Sequence, residues 1–292
     1  DCDFILQMSN EKIPYDNRVI LTSSDIDNFL VIYEGEETSK DFYPKNQDIC
    51  FILYTSGSTG TPKGVMITNN NIKAKIDWCK KYFSPHYPSS GGKVLNLPSY
   101  GFSASISNIY YALATLGCTL YGVPRTMLGD YGKLLKYFIS INPHVINCTP
   151  SFLSNLLTSP NFCHKDFSNL CFLCSGGEAL STKLASRVID RFPNLCLVNG
   201  YGCTEATAGP LICTISKELI EKSKNYLPVG ITIESPNTYL VNDEGIVSQD
   251  EVLGELIITG EFVSSGYFNK RTLTKEAFFT TEAGERAYRT KD

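Results

Sequence analysis

The stretch ILYTSGSTGTPKGVMIT, residues 52–68, joins two apolar runs through a loop rich in hydroxyl groups and glycines. Five Ser and Thr residues lie within the seven positions from Thr55 to Thr61, and Lys63 follows them. Glycines let backbone N–H groups approach an anion, hydroxyl groups donate hydrogen bonds, and a lysine adds a positive charge. The pattern therefore indicates a phosphate-binding loop rather than an ordinary polar surface loop.

The loop differs from the P-loop of kinases and GTPases. In that motif a second glycine stands five positions after the first, and Ser or Thr follows the lysine. Here Pro62 stands five positions after Gly57, and Gly64 follows Lys63. The next residues, VMIT, predict a strand, whereas a P-loop phosphate is received by a helix N-terminus. A P-loop phosphotransferase is therefore disfavoured.

Composition narrows the possible partners and the compartment. The 292 residues include 30 acidic and 26 basic side chains, for a net charge of −4 without a basic block, so we expect neither a nucleic-acid nor a membrane partner. We see no signal peptide and no apolar run long enough for a bilayer. The odd count of 11 cysteines, without framework spacing, indicates reduced thiols and a cytoplasmic protein.

Hydrophobic patterning predicts an α/β fold with three parts. Residues 1–48 form a partial first segment of a large domain. In residues 49–224 short apolar runs alternate with helical stretches, which predicts mainly parallel sheets layered with helices. Residues 225–292 contain short alternating runs joined by Asp-Gly and Glu-Gly turns, including GELIITGEFVSSGYF, and predict a small antiparallel, barrel-like β-subdomain.

One helix is predicted in detail, directly after the loop. The stretch NIKAKIDWCKKYF has the helical period, and Asn69 or Asn70 is the expected cap. Its predicted apolar face consists of Ile72, Ile76, Cys79 and Phe83.

Several motifs resemble those of the adenylate-forming superfamily, which comprises acyl-CoA synthetases, nonribosomal peptide synthetase adenylation domains and luciferases. TSGSTGTPKG, residues 55–64, resembles its signature loop, and NGYGCTEAT, residues 199–207, resembles its adenine- and magnesium-binding motif. SGGEAL (175–180) resembles the strand end beside the nucleotide. GELIITGEFVSSGYFNK (254–270) and ERAYRTKD (285–292) resemble the closing segments of its large domain. The resemblance is greatest to D-alanine–carrier protein ligases and peptide-synthetase adenylation domains.

The resemblance implies a ligase that uses ATP and Mg²⁺ to join a carboxylate to the α-phosphorus, with release of pyrophosphate. Lys63, Thr204 and Glu205 would be catalytic: Lys63 grips the leaving phosphates, Thr204 donates to the α-phosphate, and Glu205 is the metal ligand. The implied nucleotide-binding residues are Thr55, Ser56, Gly57, Ser58, Thr59, Gly60, Lys63, Gly176, Gly177, Glu178, Asn199, Gly200, Tyr201, Gly202, Thr204 and Asp292.

Two of these residues would hold the nucleoside. The ring of Tyr201 would offer adenine a flat platform, and Asp292 would accept hydrogen bonds from the ribose hydroxyls. Lys291 stands where the family usually has glycine.

The resemblance also places an acyl pocket, which departs from the family at one position. Ser103 stands where an aspartate usually pairs the ammonium group of an amino-acid substrate, and a buried ammonium without a counter-charge is unfavourable. Either the substrate lacks an α-amino group, or polar atoms and water meet it. The implied lining is small and contains no acid: Phe102, Ser103, Ala104, Ser107, Asn147, Cys174, Gly176, Gly200, Ala208 and Gly209.

The leading hypothesis is an adenylation domain that transfers its carboxylic or amino acid to the phosphopantetheine thiol of a carrier protein. Two alternatives stay open: an acyl- or aryl-CoA ligase with the same first half-reaction, and a non-catalytic nucleotide-binding remnant. The resemblance further implies that elements of the large domain precede residue 1 and that a C-terminal lid domain follows Asp292. We therefore expect this chain to bind an acyl-adenylate better than it makes one.

Overall fold

The computed structural model describes residues 4–6, 19–21, 45–55, 61–89, 91–209, 211–232, 238–243, 245–247 and 253–292. The chain divides into two compact units, Asp1–Pro44 and Lys45–Asp292. In the first unit, β1 (Phe4–Leu6) and β2 (Val19–Leu21) pair in parallel. Most of the predicted segment 1–48 lies outside the described residues.

The second unit begins with a hairpin that brackets the phosphate-loop sequence. Strand β3 (Ile49–Thr55) pairs antiparallel with β4 (Lys63–Thr68), which confirms the strand predicted after the loop. Helix α1 (Asn69–Phe83) follows at once. The predicted cap at Asn69 or Asn70 is wrong, because Thr68 caps the helix: its hydroxyl accepts the Asn71 N–H and its own N–H donates to the Asn71 amide oxygen.

The largest sheet has seven strands and confirms the mainly parallel prediction. Its members are β5 (Lys93–Asn96), β6 (Thr119–Gly122), β7 (Val145–Cys148), β8 (Phe172–Gly176), β9 (Cys196–Tyr201), β10 (Leu211–Thr214) and β11 (Ile231–Thr232). Their spatial order is β11-β10-β9-β8-β7-β5-β6. Strands β5 to β9 are parallel, whereas β10 and β11 extend one edge antiparallel.

Helices connect these strands. They are a π-helix (Ser107–Thr115), a 3₁₀ turn (Arg125–Met127), α2 (Tyr131–Ile141), α3 (Pro150–Leu156), α4 (Thr182–Arg191), a second 3₁₀ turn (Thr204–Ala206) and α5 (Lys217–Lys222). The stretch ISNIYYALATLG forms the π-helix, in which hydrogen bonds span five residues, as from Leu116 N–H to the Tyr111 carbonyl. Within the described parts of the chain, no helix is both long and apolar enough to cross a membrane.

The predicted antiparallel subdomain is a five-stranded sheet. Its elements are β12 (Thr238–Asn242), β13 (Gly245–Val247), β14 (Glu255–Thr259), α6 (Arg271–Ala277), β15 (Phe278–Thr280) and β16 (Arg286–Arg289). The strand order is β13-β12-β14-β16-β15, with every pairing antiparallel. In GELIITGEFVSSGYF only residues 255–259 are strand; the positive φ of Gly260 begins a turn that ends the ladder.

Alternation along the central strands fills both faces of the large sheet. Leu95, Ile146, Leu173 and Leu197 pack with α2, α3 and α4 on one face. Their chain neighbours Val94, Val145, Phe172 and Val198 pack with α1 and the π-helix on the other face. A third cluster joins Val65 and Ile67 of the hairpin to Ile258 and Tyr288 of the antiparallel sheet. The end of β9, the hairpin and the antiparallel sheet are thereby held together.

Candidate active site

The β3–β4 hairpin holds both ends of the predicted phosphate loop. Thr55 lies opposite Lys63 in the register, so the loop leaves and re-enters the hairpin at one point. Five predicted loop residues, Ser56, Gly57, Ser58, Thr59 and Gly60, lie outside the described residues, and their roles stay predictions. The Lys63 ammonium lies over the ring of Tyr267, 4.9 Å from its centroid.

Tyr267 connects Lys63 with Glu205, two residues that were predicted to be catalytic. Its hydroxyl donates to Glu205 Oε1 at 2.9 Å, and both side chains are buried. Burial, followed by the Glu205 charge, raises the pKa of Tyr267, so the phenol stays a donor at neutral pH. Tyr267 was not predicted as a site residue, although it lies in the segment GYFNK; a Tyr in a polar turn after Gly266 was the available signal.

Glu205 fits the predicted magnesium ligand. It belongs to the 3₁₀ turn Thr204–Ala206, and its carbonyl accepts the Ser264 N–H, which fixes the turn against the segment after β14. Its Oε2 accepts no hydrogen bond from the residues that the structure describes. Mg²⁺ is typically bound through one or two carboxylates together with phosphate oxygens. Glu205 suits that donor set, because it is a buried carboxylate whose Oε2 is left for a metal ion. Tyr267 contacts both Glu205 and Lys63, so the carboxylate lies near the predicted phosphate-binding cation.

Thr204 and Ser103 meet in space. Their hydroxyl groups share a hydrogen bond of 3.1 Å, which brings a predicted α-phosphate donor to a predicted pocket residue. Phe102 and Ala104, the neighbours of Ser103, are exposed. Ser103, a predicted pocket residue, therefore carries a hydroxyl group bonded to Thr204.

The predicted nucleoside residues also meet. The Tyr201 hydroxyl, at the end of β9, donates a hydrogen bond to Asp292 Oδ2. Burial, and then the Asp292 carboxylate, raises the pKa of Tyr201. The Asp292 carbonyl accepts the Leu256 N–H, which ties it to β14. Tyr201, the predicted adenine platform, and Asp292, the predicted ribose acceptor, are thus adjacent in space, although they lie 91 positions apart in the sequence.

Close backbone packing explains two of the predicted glycines. A Cβ on Gly176 would lie 2.5 Å from the Gly200 carbonyl oxygen, and one on Gly202 would lie 2.0 Å from the Gly209 Cα. Only glycine fits at such distances. The ends of β8 and β9 and the segment 207–209 therefore lie directly against one another.

Two of the predicted nucleotide-binding residues, Glu178 and Asn199, form hydrogen bonds within the protein. Glu178 accepts the Ser151 N–H at 3.0 Å and its hydroxyl at 2.7 Å, and the hydroxyl is the main cause that lowers the pKa of Glu178. The Asn199 amide donates to the Pro228 carbonyl at 2.8 Å. Gly177, beside Glu178, has a φ of 83°. The side chains of Glu178 and Asn199 thus anchor loops around the strand ends. Their direct contacts with a nucleotide stay predictions.

Four of the residues predicted to line the acyl pocket lie on three elements: Asn147 on β7, Cys174 and Gly176 on β8, and Ser107 in the π-helix. Asn147 and Cys174 are register partners, and the Asn147 amide donates to Asn108 Oδ1 at 2.5 Å. Asn108 in turn donates to Asn96 Oδ1 at 3.0 Å. Burial raises the pKa of the Cys174 thiol to about 12, so it stays neutral. Asn108 was missed; an Asn directly before the apolar stretch IYYALA was the signal.

The fold and these clustered residues suit an enzyme of the AMP-binding class. Residues 5–268 match the AMP-binding enzyme family. The chain belongs to this family, which confirms the family and fold predictions.

Comparison with individual proteins gives the same family. The chain is 33% identical over 293 residues to the D-alanine--D-alanyl carrier protein ligase of Streptococcus agalactiae serotype III (strain NEM316), covering 99% of this chain and 55% of the relative. It is 34% identical over 265 residues to the Bacillus licheniformis protein of that name, covering 89% and 51%. The fold resembles the Vibrio cholerae adenylation domain AlmE in complex with glycyl-adenosine-5'-phosphate, with TM-score 0.75, 24% identity and coverage of 94% and 49%. The chain spans about half the length of the curated relatives it matches.

Proposed function

We propose that the protein activates a carboxylic acid, in the first instance an amino acid, as its acyl-adenylate with release of pyrophosphate from ATP. The acyl group is then passed to the phosphopantetheine thiol of a carrier protein. The observation that carries this proposal is the contact of Tyr267 with both Lys63 and Glu205. A cation and a carboxylate beside a Ser/Thr/Gly loop are the groups that a polyphosphate with its metal ion needs.

Each residue has a defined task in this proposal. Lys63 and the hydroxyl groups of the loop hold the phosphates that leave as pyrophosphate, so that charge is stabilised where it develops. Thr204 donates to the α-phosphate, and its hydrogen bond to Ser103 sets the direction of its hydroxyl group. Bound Mg²⁺ would neutralise phosphate charge beside Glu205. Tyr201 positions the adenine and Asp292 the ribose.

The carrier protein and the amino acid are supported by the names of relatives. The curated relatives are named D-alanine--D-alanyl carrier protein ligases, and D-alanine is therefore the first acid to test. A structurally similar protein, PA1221, contains adenylation and PCP domains (TM-score 0.77, 25% identity). The free thiols of Cys79, Cys118 and Cys174 suit the reducing cytoplasm, where we place the reaction.

Calorimetric titration of this chain with Mg·ATP and with alanyl-sulfamoyl-adenosine tests the nucleotide half of the proposal. We expect both to bind, and Lys63→Ala to weaken ATP by about tenfold, since it removes a charge-assisted contact. Glu205→Gln should abolish the dependence of ATP binding on Mg²⁺. Lys183→Ala, an exposed lysine of α4, is the matched control.

The proposal is contradicted if the folded chain binds neither ligand. It is also contradicted if both ligands bind and neither Lys63→Ala nor Glu205→Gln changes their affinity. The acceptor is decided separately, by an acyl-transfer assay. Acyl transfer to a phosphopantetheine-bearing carrier protein supports the proposal, whereas transfer to coenzyme A alone makes the protein an acyl-CoA ligase.

A further inference from the structure

A buried lysine lies on the inner face of α1. Lys75 is 3% exposed, and its Nζ donates to the carbonyl oxygens of Ala208 at 2.7 Å and Gly209 at 3.0 Å. The ammonium also lies over the Trp78 ring, 4.2 Å from the centroid. Among the ion pairs of the described residues, none includes Lys75. Its charge is met by the two carbonyl dipoles and by the rings of Trp78 and Phe262.

The ammonium of Lys75 borders the predicted acyl pocket. A Cβ on Gly209 would lie 3.8 Å from Lys75 Nζ, and both carbonyl partners of Lys75 belong to the predicted lining. Burial lowers the pKa of Lys75, while the nearby thiols of Cys79 and Cys174 act in the opposite direction. Cys174 is itself a predicted lining residue. The predicted pocket thus has a cation at its wall and no acid in its lining.

A second buried donor lies near the same two thiols. Tyr87 is 6% exposed, and its hydroxyl makes no hydrogen bond of normal geometry within the described residues. Burial raises the pKa of Tyr87, the nearby thiols of Cys79 and Cys174 add to that effect, and the amide of Asn147 opposes it. Buried hydroxyl groups nearly always have a partner. A phenol O–H without an acceptor among the described residues indicates an acceptor that is supplied by a ligand.

Both groups are hydrogen-bond donors, and one carries a positive charge. A carboxylate is acceptor-only, and its two oxygens can accept from two donors at once. An apolar acyl chain would leave the Tyr87 hydroxyl unsatisfied, and a cationic chain would be repelled by Lys75.

We propose that the acid activated here carries a second anionic group, at the end distant from the reacting carboxylate, which is bound by Lys75 Nζ and Tyr87 Oη. The inference rests on the proposed function, since it concerns the acyl pocket of the same site. Lys75 lies three positions after Ile72 and four before Cys79, within the face that sequence analysis predicted to be apolar.

Two pairs of acyl-sulfamoyl-adenosines of equal shape provide the test, by calorimetric titration of the whole chain. Aspartyl is compared with leucyl, and succinyl with 4-methylpentanoyl; each pair differs only in a distal carboxylate against an isopropyl group. The two pairs differ from each other in the α-amino group. We expect the carboxylate member to bind about tenfold tighter or better in at least one pair, as charge-assisted hydrogen bonds imply.

Variants assign this preference to residues. Lys75→Met keeps the aliphatic stem and removes the charge. The affinity of the carboxylate member divided by that of the apolar member of the same pair should then fall to about one or below. Tyr87→Phe should reduce the ratio by a smaller factor. Lys73→Met, an exposed lysine on the same helix, is the matched control and should leave the ratio unchanged.

Three outcomes overturn the inference while leaving the proposed function standing. The apolar member of both pairs binds as tightly as the carboxylate member; or the preference survives in both Lys75→Met and Tyr87→Phe; or Lys75→Met weakens all four ligands equally, which would make Lys75 an anchor of residues 207–209 alone. If Lys75→Met does not fold, the wild-type ratios and Tyr87→Phe decide. Binding of no ligand by a folded chain overturns the inference and the proposed function together.

Discussion

Tyr267 contacts both Lys63 and Glu205, the two charged groups that we propose for the triphosphate and its metal ion. Its ring faces the Lys63 ammonium and its hydroxyl donates to Glu205. The hydrogen bond to Glu205 Oε1 fixes the orientation of this buried carboxylate. Its second oxygen, Oε2, is then available to the proposed metal ion. Lys63 and Glu205 were predicted from motifs, but their common partner was not, since no motif spacing relates residues 205 and 267.

Replacing Tyr267 with Phe tests this coupling. Tyr267→Phe keeps the ring beneath Lys63 and removes the hydrogen bond to Glu205, a bond to a charged group worth about 1.5–3 kcal/mol. We expect Mg·ATP to bind about tenfold more weakly, with a smaller effect on ATP in the absence of Mg²⁺, measured by calorimetry. Tyr226→Phe, at an exposed tyrosine, is the control. Equal binding by the variant and the wild type would show that Glu205 does not depend on Tyr267.

The contact between Gly202 and Gly209 gives a second prediction for a single residue. A Cβ at position 202 would lie 2.0 Å from the Gly209 Cα, so Gly202→Ala must displace the backbone of one of the two segments. We expect a loss of about 1–3 kcal/mol in the free energy of unfolding, as for other overpacked sites, together with weaker adenylate binding. Denaturant unfolding measures the first quantity. Gly129→Ala, with no atom within 4 Å of the added Cβ, should change neither.

At the scale of elements, α1 is tied to the segment after β14 through one side chain. Asn71 closes the capping box with Thr68, and its amide also donates to the carbonyls of Glu261 at 2.6 Å and Val263 at 3.2 Å. The sequence places three asparagines in a row at the helix start, each a good cap, and spacing alone could not choose among them and Thr68. The tertiary carbonyls near residue 261 bind Asn71, and Thr68 is then the cap.

Asn71→Ala should therefore destabilise more than the loss of a cap alone. It removes the reciprocal bond of the capping box and leaves two carbonyls without a donor, for a total of about 1–3 kcal/mol. Asn70→Ala, one position earlier in the same helix turn, should stay within about 0.5 kcal/mol of the wild type. Urea unfolding of both variants decides the matter. If the two variants lose the same stability, the long-range hydrogen bonds of Asn71 contribute nothing.

At the scale of the whole second unit, the candidate site lies where three pieces meet: the end of β9, the β3–β4 hairpin and the antiparallel sheet. The third hydrophobic cluster holds these pieces together. Burial in this region raises the pKa of Tyr201, Tyr267 and Tyr288, and the nearby carboxylates Asp292 and Glu205 add to the effect.

These tyrosines predict how stability depends on alkaline pH. In the unfolded chain a tyrosine loses its proton near pH 10. The folded state holds the proton more tightly, so its advantage is complete below about pH 10 and is lost progressively above it. We expect the free energy of unfolding to fall above about pH 10, and Tyr288→Phe to make this fall less steep. Denaturant unfolding at several pH values measures the slope; an unchanged slope in the variant would contradict the assignment.

The sequence alone determined the family and the alternation of strands and helices, and it predicted most residues of the candidate nucleotide site, because each depends on a contiguous motif or on local periodicity. Only the tertiary structure decided that Tyr267 joins Lys63 to Glu205, that Tyr201 bonds Asp292, and that Lys75 is buried beside Gly209. Lys75 shows the reason. Helical periodicity put it on the inner face of α1, but whether an inward lysine is tolerated depends on carbonyls 133 and 134 positions away. Partners so distant are brought together by packing of the sheets, which no local pattern specifies.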